Sequence, residues 1–129
     1  MVLNTKLNVQ GLDFMKKVSE IIKKVENTKG QAVLVTINSG NKVFSAGMDL
    51  KFWARNYWNQ ESNIVGMHHM LKEILTVNVP SLCVVNGLNI AGGVFMSLAH
   101  DKVIMNSNPK FTTCLNEAEN GKVPTFAME

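Results

Sequence analysis

Residues 81 to 105 read SLCVVNGLNIAGGVFMSLAHDKVIM, and the pattern changes three times within them. Ser81 to Val85 is short, apolar and strand-like, and Asn86 with Gly87 makes a turn. Ala91, Gly92 and Gly93 then open a helix that runs to about His100, and Lys102 to Met105 reads as a further strand. Working outward, Ala32 to Ile37 is a β-branched run bounded by Ser39 and Gly40, as expected of a buried strand. Before it, Leu12, Phe14, Met15, Val18, Ile21, Ile22 and Val25 recur at helical spacing with Lys16, Lys17, Glu20, Lys23 and Lys24 between them, and Asn27 to Gly30 closes that helix. A second helical pattern carries Ile64, Val65, His68, Leu71 and Leu75 and ends before Pro80. Strands alternating with long helices favour a parallel sheet with right-handed crossovers over any sandwich.

The chain of 129 residues is 46% hydrophobic and 18% charged, which supplies one core and argues against disorder or a fibrous repeat. The formal charge of +3, from 13 basic and 10 acidic residues, is spread along the chain, so nucleic acid is not an expected partner. No apolar run approaches the roughly 20 residues that cross a bilayer, and a membrane is not expected either. Cys83 and Cys114 lie in apolar sequence and read as buried free thiols of a reducing compartment. The opening MVLNTKLN has neither a secretory nor a transit character, so any targeting signal is expected outside this chain.

Open parallel sheets bind ligands at the carboxyl ends of their strands, where this chain places two unusual loops. In Phe44 to Leu50 (FSAGMDL) a small-residue turn exposes backbone amides near Met48. In Asn86 to Gly93 (NGLNIAGG) adjacent glycines meet a helix N-terminus, which favours negative charge. Together the loops could form an oxyanion site; equally, Gly92 and Gly93 could serve only close packing. Neither a GxGxxG nor a GxxxxGK[ST] pattern occurs, so no nucleotide-binding loop is supplied. His68 and His69 are neighbours on a helix and point apart, so no metal site is expected there, while His100 reads as packing or capping its helix end. Phe52, Trp53, Tyr57 and Trp58 could shape an acyl tunnel or simply pack.

FSAGMDLKFW, VPSLCVVNGLNIAGGVFMSLAHD and FTTCLNEAENGKVP, in that order between about Lys6 and Pro124, resemble the three signature stretches of the crotonase superfamily, the enoyl-CoA hydratase/isomerase family. The resemblance implies an α/β fold with a crotonase-like ββα core, a mainly parallel sheet and crossover helices. It makes residues 1–129 one partial domain, expected to lack the family's first strands and C-terminal helical region. It implies an acyl-CoA substrate with coenzyme A as part of the substrate and no separate cofactor. It also implies a homo-trimer or higher assembly of a full-length parent, and a mitochondrial or peroxisomal matrix location.

Carried across position by position, the resemblance makes the amides of Met48 and Gly92 the oxyanion hole for a thioester enolate. It places Ala46 beside the adenine and makes Lys51 a phosphate contact. Where enoyl-CoA hydratases carry their first catalytic glutamate this chain has Phe95, which cannot activate water. The second glutamate position, four residues before Gly121 and seven before Pro124, is filled by Glu117, with Glu119 as the alternative if the register slips. One glutamate, Phe95 in place of the other, and Leu115-Asn116-Glu117 in place of a proline-glutamate pair are similar to the 3-enoyl-CoA to 2-enoyl-CoA isomerases, with Phe95 and Leu115 as apolar walls. Two other readings stay beside this one: a non-catalytic acyl-CoA-binding or assembly subunit, and another single-acid member such as a thioesterase or decarboxylase.

Overall fold

The computed structural model describes residues 1–117. Glu119, Gly121 and Pro124 lie outside the described residues. A short strand β1 (Val2–Leu3) precedes helix α1 (Leu12–Glu26), which turns Met15, Val18 and Ile22 into the core and its lysines to solvent. Asp13 in its first turn and Lys23 and Lys24 in its last complement the helix dipole. The Asn27 side chain closes the helix by donating to Lys23 O at 2.7 Å. Strands β2 (Leu34–Asn38) and β3 (Val43–Ser45) follow, then the short helix α2 (Leu50–Trp53) and the long α3 (Tyr57–Leu75). Asp49 caps α2 through its Oδ1, 3.1 Å from the amides of Lys51 and Phe52, and Asn56 caps α3 at 2.9 Å from Asn59 N. The chain continues through β4 (Ser81–Val85), β5 (Leu88–Ile90), α4 (Gly92–Leu98), β6 (Lys102–Met105) and β7 (Thr113–Cys114).

These strands form two sheets, both parallel throughout. The larger has the order β1-β2-β4-β6 and the smaller β3-β5-β7. Leu34, Phe44, Cys83, Val85 and Met96 meet Met67, Met70, Leu71 and Ile74 of α3 and the inner face of α1 in one continuous core. Full burial of a side chain such as Ile22 or Ile74 contributes on the order of 1.5–3 kcal/mol. Three asparagines tie the carboxyl ends of β2 and β4 in the larger sheet to the start of β3 in the smaller. Asn8 Nδ2 donates to Asn38 Oδ1 at 3.0 Å and Phe44 O at 2.9 Å, Asn38 Nδ2 to Val43 O at 2.8 Å, and Asn86 Nδ2 to Asn38 O at 2.8 Å.

Four expectations are amended. The chain does hold a strand upstream of the first helix: β1 pairs with β2 through Val2↔Ile37 and Leu3↔Asn38. The turn at Asn86-Gly87 feeds strand β5 before the helix begins at Gly92, and β5 belongs to a second sheet rather than to one continuous one. Helix α3 begins at Tyr57, well before the apolar spacing starts, because its first turns are solvated and need no apolar stripe. Cys83 is buried as expected, but Cys114 is only partly so, lying on the two-residue strand β7 at the rim of the smaller sheet.

Candidate active site

The smaller sheet delivers three loops to one place. Its strands are parallel, so their carboxyl ends share a side: Ala46 to Met48 leave β3, Ala91 and Gly92 leave β5, and Asn116 and Glu117 leave β7. Ala91 N donates to Cys114 O at 3.0 Å, continuing the β5–β7 pairing up to the loop itself. A cavity of about 80 Å³ lies where the loops meet, lined by Ala46, Met48, Leu50, Ile90, Ala91, Asn116 and Glu117.

Backbone geometry brings the first two loops close. Gly47 has φ +80° and Ala91 φ +53°, the latter a conformation costly for any residue with a side chain. A methyl group on Gly92 would stand 3.5 Å from Met48 N, so this amide and the start of α4 are immediate neighbours. Neither Met48 N nor Gly92 N donates to another group among the described residues, whereas Gly47 O and Asp49 N on either side of Met48 are both engaged by Gln10. The glycine pair also serves packing: a methyl on Gly93 would lie 2.5 Å from Asn89 Oδ1 and 2.7 Å from Ser45 Cβ. Close approach and amides without a hydrogen-bond acceptor among the described residues are thus two properties of one turn.

Glu117 lines the cavity together with Met48 and Ala91. Its Oε2 is buried and has no hydrogen-bond partner among the described residues. A buried carboxyl oxygen left without a donor among the described residues is unusual, and such groups concentrate at functional sites. Met48, whose amide makes no hydrogen bond among the described residues, and Glu117 line the same cavity; backbone donors and a carboxylate brought together can polarise a carbonyl and accept a proton from the carbon beside it.

Of the residues singled out from the sequence, Ala46, Met48 and Glu117 line the cavity, and Gly92 is buried next to Met48. Lys51 is exposed on α2, Phe95 packs against the main core, and Leu115 is 51% exposed; none of the three lines the cavity. Leu50, Ile90, Ala91 and Asn116 also line it; the sequence reading placed them within its motifs but gave none of them a role in the site. Tyr57 and Trp58 stack edge to face, 70% and 73% exposed, away from the lining. His100 is buried, with Nδ1–H donating to Met96 O at 2.9 Å, which leaves Nε2 to accept from Thr36 Oγ1 at 2.8 Å. Among the described residues no three His, Cys, Asp or Glu side chains gather as a metal site, and no helix is long and apolar enough to cross a membrane.

The model of the enoyl-CoA hydratase/isomerase family matches residues 3–129. This chain belongs to that family. As a family member it is 29% identical over 127 residues to enoyl-CoA delta isomerase 1, mitochondrial, of Rattus norvegicus, covering 98% of this chain and 44% of the rat protein. It is also 29% identical over 108 residues to carnitinyl-CoA dehydratase of Proteus mirabilis, covering 84% of this chain and 41% of that protein. Among solved structures it superposes on human mitochondrial delta3-delta2-enoyl-CoA isomerase with a TM-score of 0.89 at 25% identity, covering 97% of this chain and 50% of that one. An enoyl-CoA hydratase from Bacillus anthracis shares the fold, with a TM-score of 0.88 at 23% identity. This family member therefore spans less than half the length of the rat and Proteus relatives.

Proposed function

We propose that this protein, in its full-length form, moves the double bond of a 3-enoyl-CoA thioester to carbon 2. The observation that carries the reading is the buried Oε2 of Glu117, without a partner among the described residues, on the wall of the cavity that Met48 also lines. The Glu117 carboxylate takes a proton from carbon 2, and the C–H electron pair moves toward the thioester carbonyl to give a dienolate. The amides of Met48 and Gly92 hold its oxyanion. Protonated Glu117 then returns the proton to carbon 4, and the double bond comes to rest between carbons 2 and 3. Donors of this kind are worth about 3–4 kcal/mol each at a developing oxyanion, and a positioned base about a hundred- to ten-thousand-fold.

The reaction is redox-neutral and asks for no group beyond this chain's residues and the coenzyme A of the substrate. By the resemblance, Phe95 stands where hydratases carry their first catalytic glutamate, which disfavours addition of water. On this reading Lys51, exposed beside the first loop, contacts a coenzyme A phosphate, and the Ala46 loop faces the adenine. Relatives named as mitochondrial favour a mitochondrial over a peroxisomal setting, in fatty acid oxidation, with the full-length protein a trimer or larger.

The test is Glu117→Gln in the full-length protein, assayed for conversion of a 3-enoyl-CoA to the conjugated thioester. Turnover is expected to fall at least a hundredfold while acyl-CoA binding persists; turnover within a few-fold of wild type would dismiss the proposal. A wild-type protein that binds acyl-CoA without turning it over would favour the binding-subunit reading, and mass spectrometry of products would expose thioester hydrolysis or decarboxylation.

A further inference from the structure

Gln10 is a polar residue with no exposed surface. Its backbone forms an isolated parallel bridge with Met48: Gln10 N–H donates to Gly47 O at 2.8 Å, and Gln10 O accepts from Asp49 N–H at 3.3 Å. In a parallel bridge the partner residue's own N–H and C=O point away from the bridging strand. These two bonds therefore turn Met48 N–H away from Gln10. The Gln10 side chain reaches the second loop, where Nε2 donates to Gly92 O at 3.1 Å and lies 3.7 Å from Met96 Sδ. A methyl at position 92 would stand 2.6 Å from Gln10 Oε1, so any larger residue there would have to displace the end of this side chain.

We propose that Gln10 is a positioning residue that ties the Gly47–Asp49 loop to the start of α4 and so sets the spacing of the Met48 and Gly92 amides. The inference rests on the reading of those amides as the oxyanion hole. Nothing about core stability calls for glutamine here. Oε1 is buried without a partner among the described residues, a cost that leucine or methionine of similar size would avoid. What glutamine adds is a donor long enough to span from one loop to the other, while its main chain is already committed to the first. Misplacing a donor by about 1 Å costs on the order of a hundredfold in rate, so a tie of this kind acts on the chemical step more than on affinity.

The experiment compares wild type, Gln10→Met and Gln10→Leu in the full-length protein. Both variants keep the main-chain bridge and the buried volume and remove the Nε2 donor. Steady-state kinetics on a 3-enoyl-CoA should show kcat lowered about ten- to a hundredfold with KM within threefold. Amide hydrogen exchange at residues 91 to 93 should quicken about tenfold or more, while β2 and β4 stay as protected as in wild type. Unchanged kcat and unchanged exchange in a folded variant would overturn the inference. So would losses that merely follow global unfolding. Should both variants fail to fold, ¹⁵N-labelled wild type titrated with acetyl-CoA decides: the Gln10 side-chain amide is expected to shift together with Met48 and Gly92, and a silent Gln10 resonance overturns the tie. A wild type with no turnover would sink the isomerase reading alone, because the exchange arm still reports whether Gln10 joins the two loops.

Discussion

Gly47 faces Gly92 across a gap too tight for a methyl group unless main chain shifts: a Cβ on Gly47 would lie 3.1 Å from Gly92 N and 3.0 Å from both Ile90 O and Ala91 Cβ. The contact joins the turn after β3 to the turn after β5 through main chain on both sides, so it cannot be relieved by a side-chain rotation. Gly47 also has φ +80°, where a Cβ costs about 1–2 kcal/mol. Gly47→Ala is therefore expected to lower stability by about 1–3 kcal/mol and turnover by at least tenfold. Urea denaturation beside steady-state assays checks it, and a variant as stable and active as wild type contradicts the packing described.

Ala91 offers the opposite experiment. It holds φ +53° and ψ −121° at the start of α4, a conformation that glycine adopts freely. Ala91→Gly is expected to raise stability by about 1 kcal/mol and the melting temperature by a few degrees. A lower melting temperature would show that the alanine methyl earns more in contacts than its backbone costs.

His100 and Asp101 give acid sensitivity in two separate steps. Burial holds the His100 imidazole below its ordinary 6.5, against opposing hydrogen bonds to the Met96 and Ser97 backbone. The unfolded chain then takes the proton first, so this contribution is complete above about pH 6.5 and is lost as pH falls from there to the folded value. The Asp101 carboxylate accepts from Ser81 N–H at 2.8 Å and Ser81 Oγ–H at 2.9 Å, which hold it below 3.8. Its contribution persists until the pH drops below about 4. The urea midpoint should decline between pH 7 and 5 in wild type and lose that slope in His100→Gln; equal slopes would refute the assignment.

The two cysteines should separate by reactivity. Burial pushes the Cys83 thiol up to about 12, so little thiolate forms near neutrality, whereas Cys114 is partly exposed on β7. Iodoacetamide at pH 8 is expected to label Cys114 and leave Cys83 unmodified in folded protein, as peptide mass mapping would show. Equal labelling of both would mean that the core opens on the timescale of the reaction.

How much of this was legible in the sequence follows from length and burial. β2, β4 and β6 are long enough to show as apolar runs, and α1 has a full amphipathic stripe, so each is readable. β1 and β7 have two residues each and β5 three, too few to show alternation, and so the second sheet stayed hidden. Glu117 is singled out in the sequence by its spacing to Gly121 and Pro124, which matches a family pattern, and not by local chemistry. Phe95 and Leu115 were named from the same pattern, but helix phase turns Phe95 to the core, and Leu115 stands outside the lining beside Asn116, which does line the cavity. Gln10 left no signal, since a lone glutamine ahead of a helix reads as surface.

The short strand β7 pairs with β5 through Asn89↔Thr113 and Ile90↔Cys114, and Glu117 follows three residues later. Asn106 N–H donates to Val85 O and Thr112 O accepts from Asn89 N–H, so a change of length is expected to be tolerated best at residues 107 to 111 between them, provided the strand docks in the same phase. A slip of one residue along β5 would present Asn116 or residue 118 where the carboxylate now stands. Loop length in this segment is open to variation, whereas its reading frame against Ile90 is what an evolving or redesigned sequence must keep.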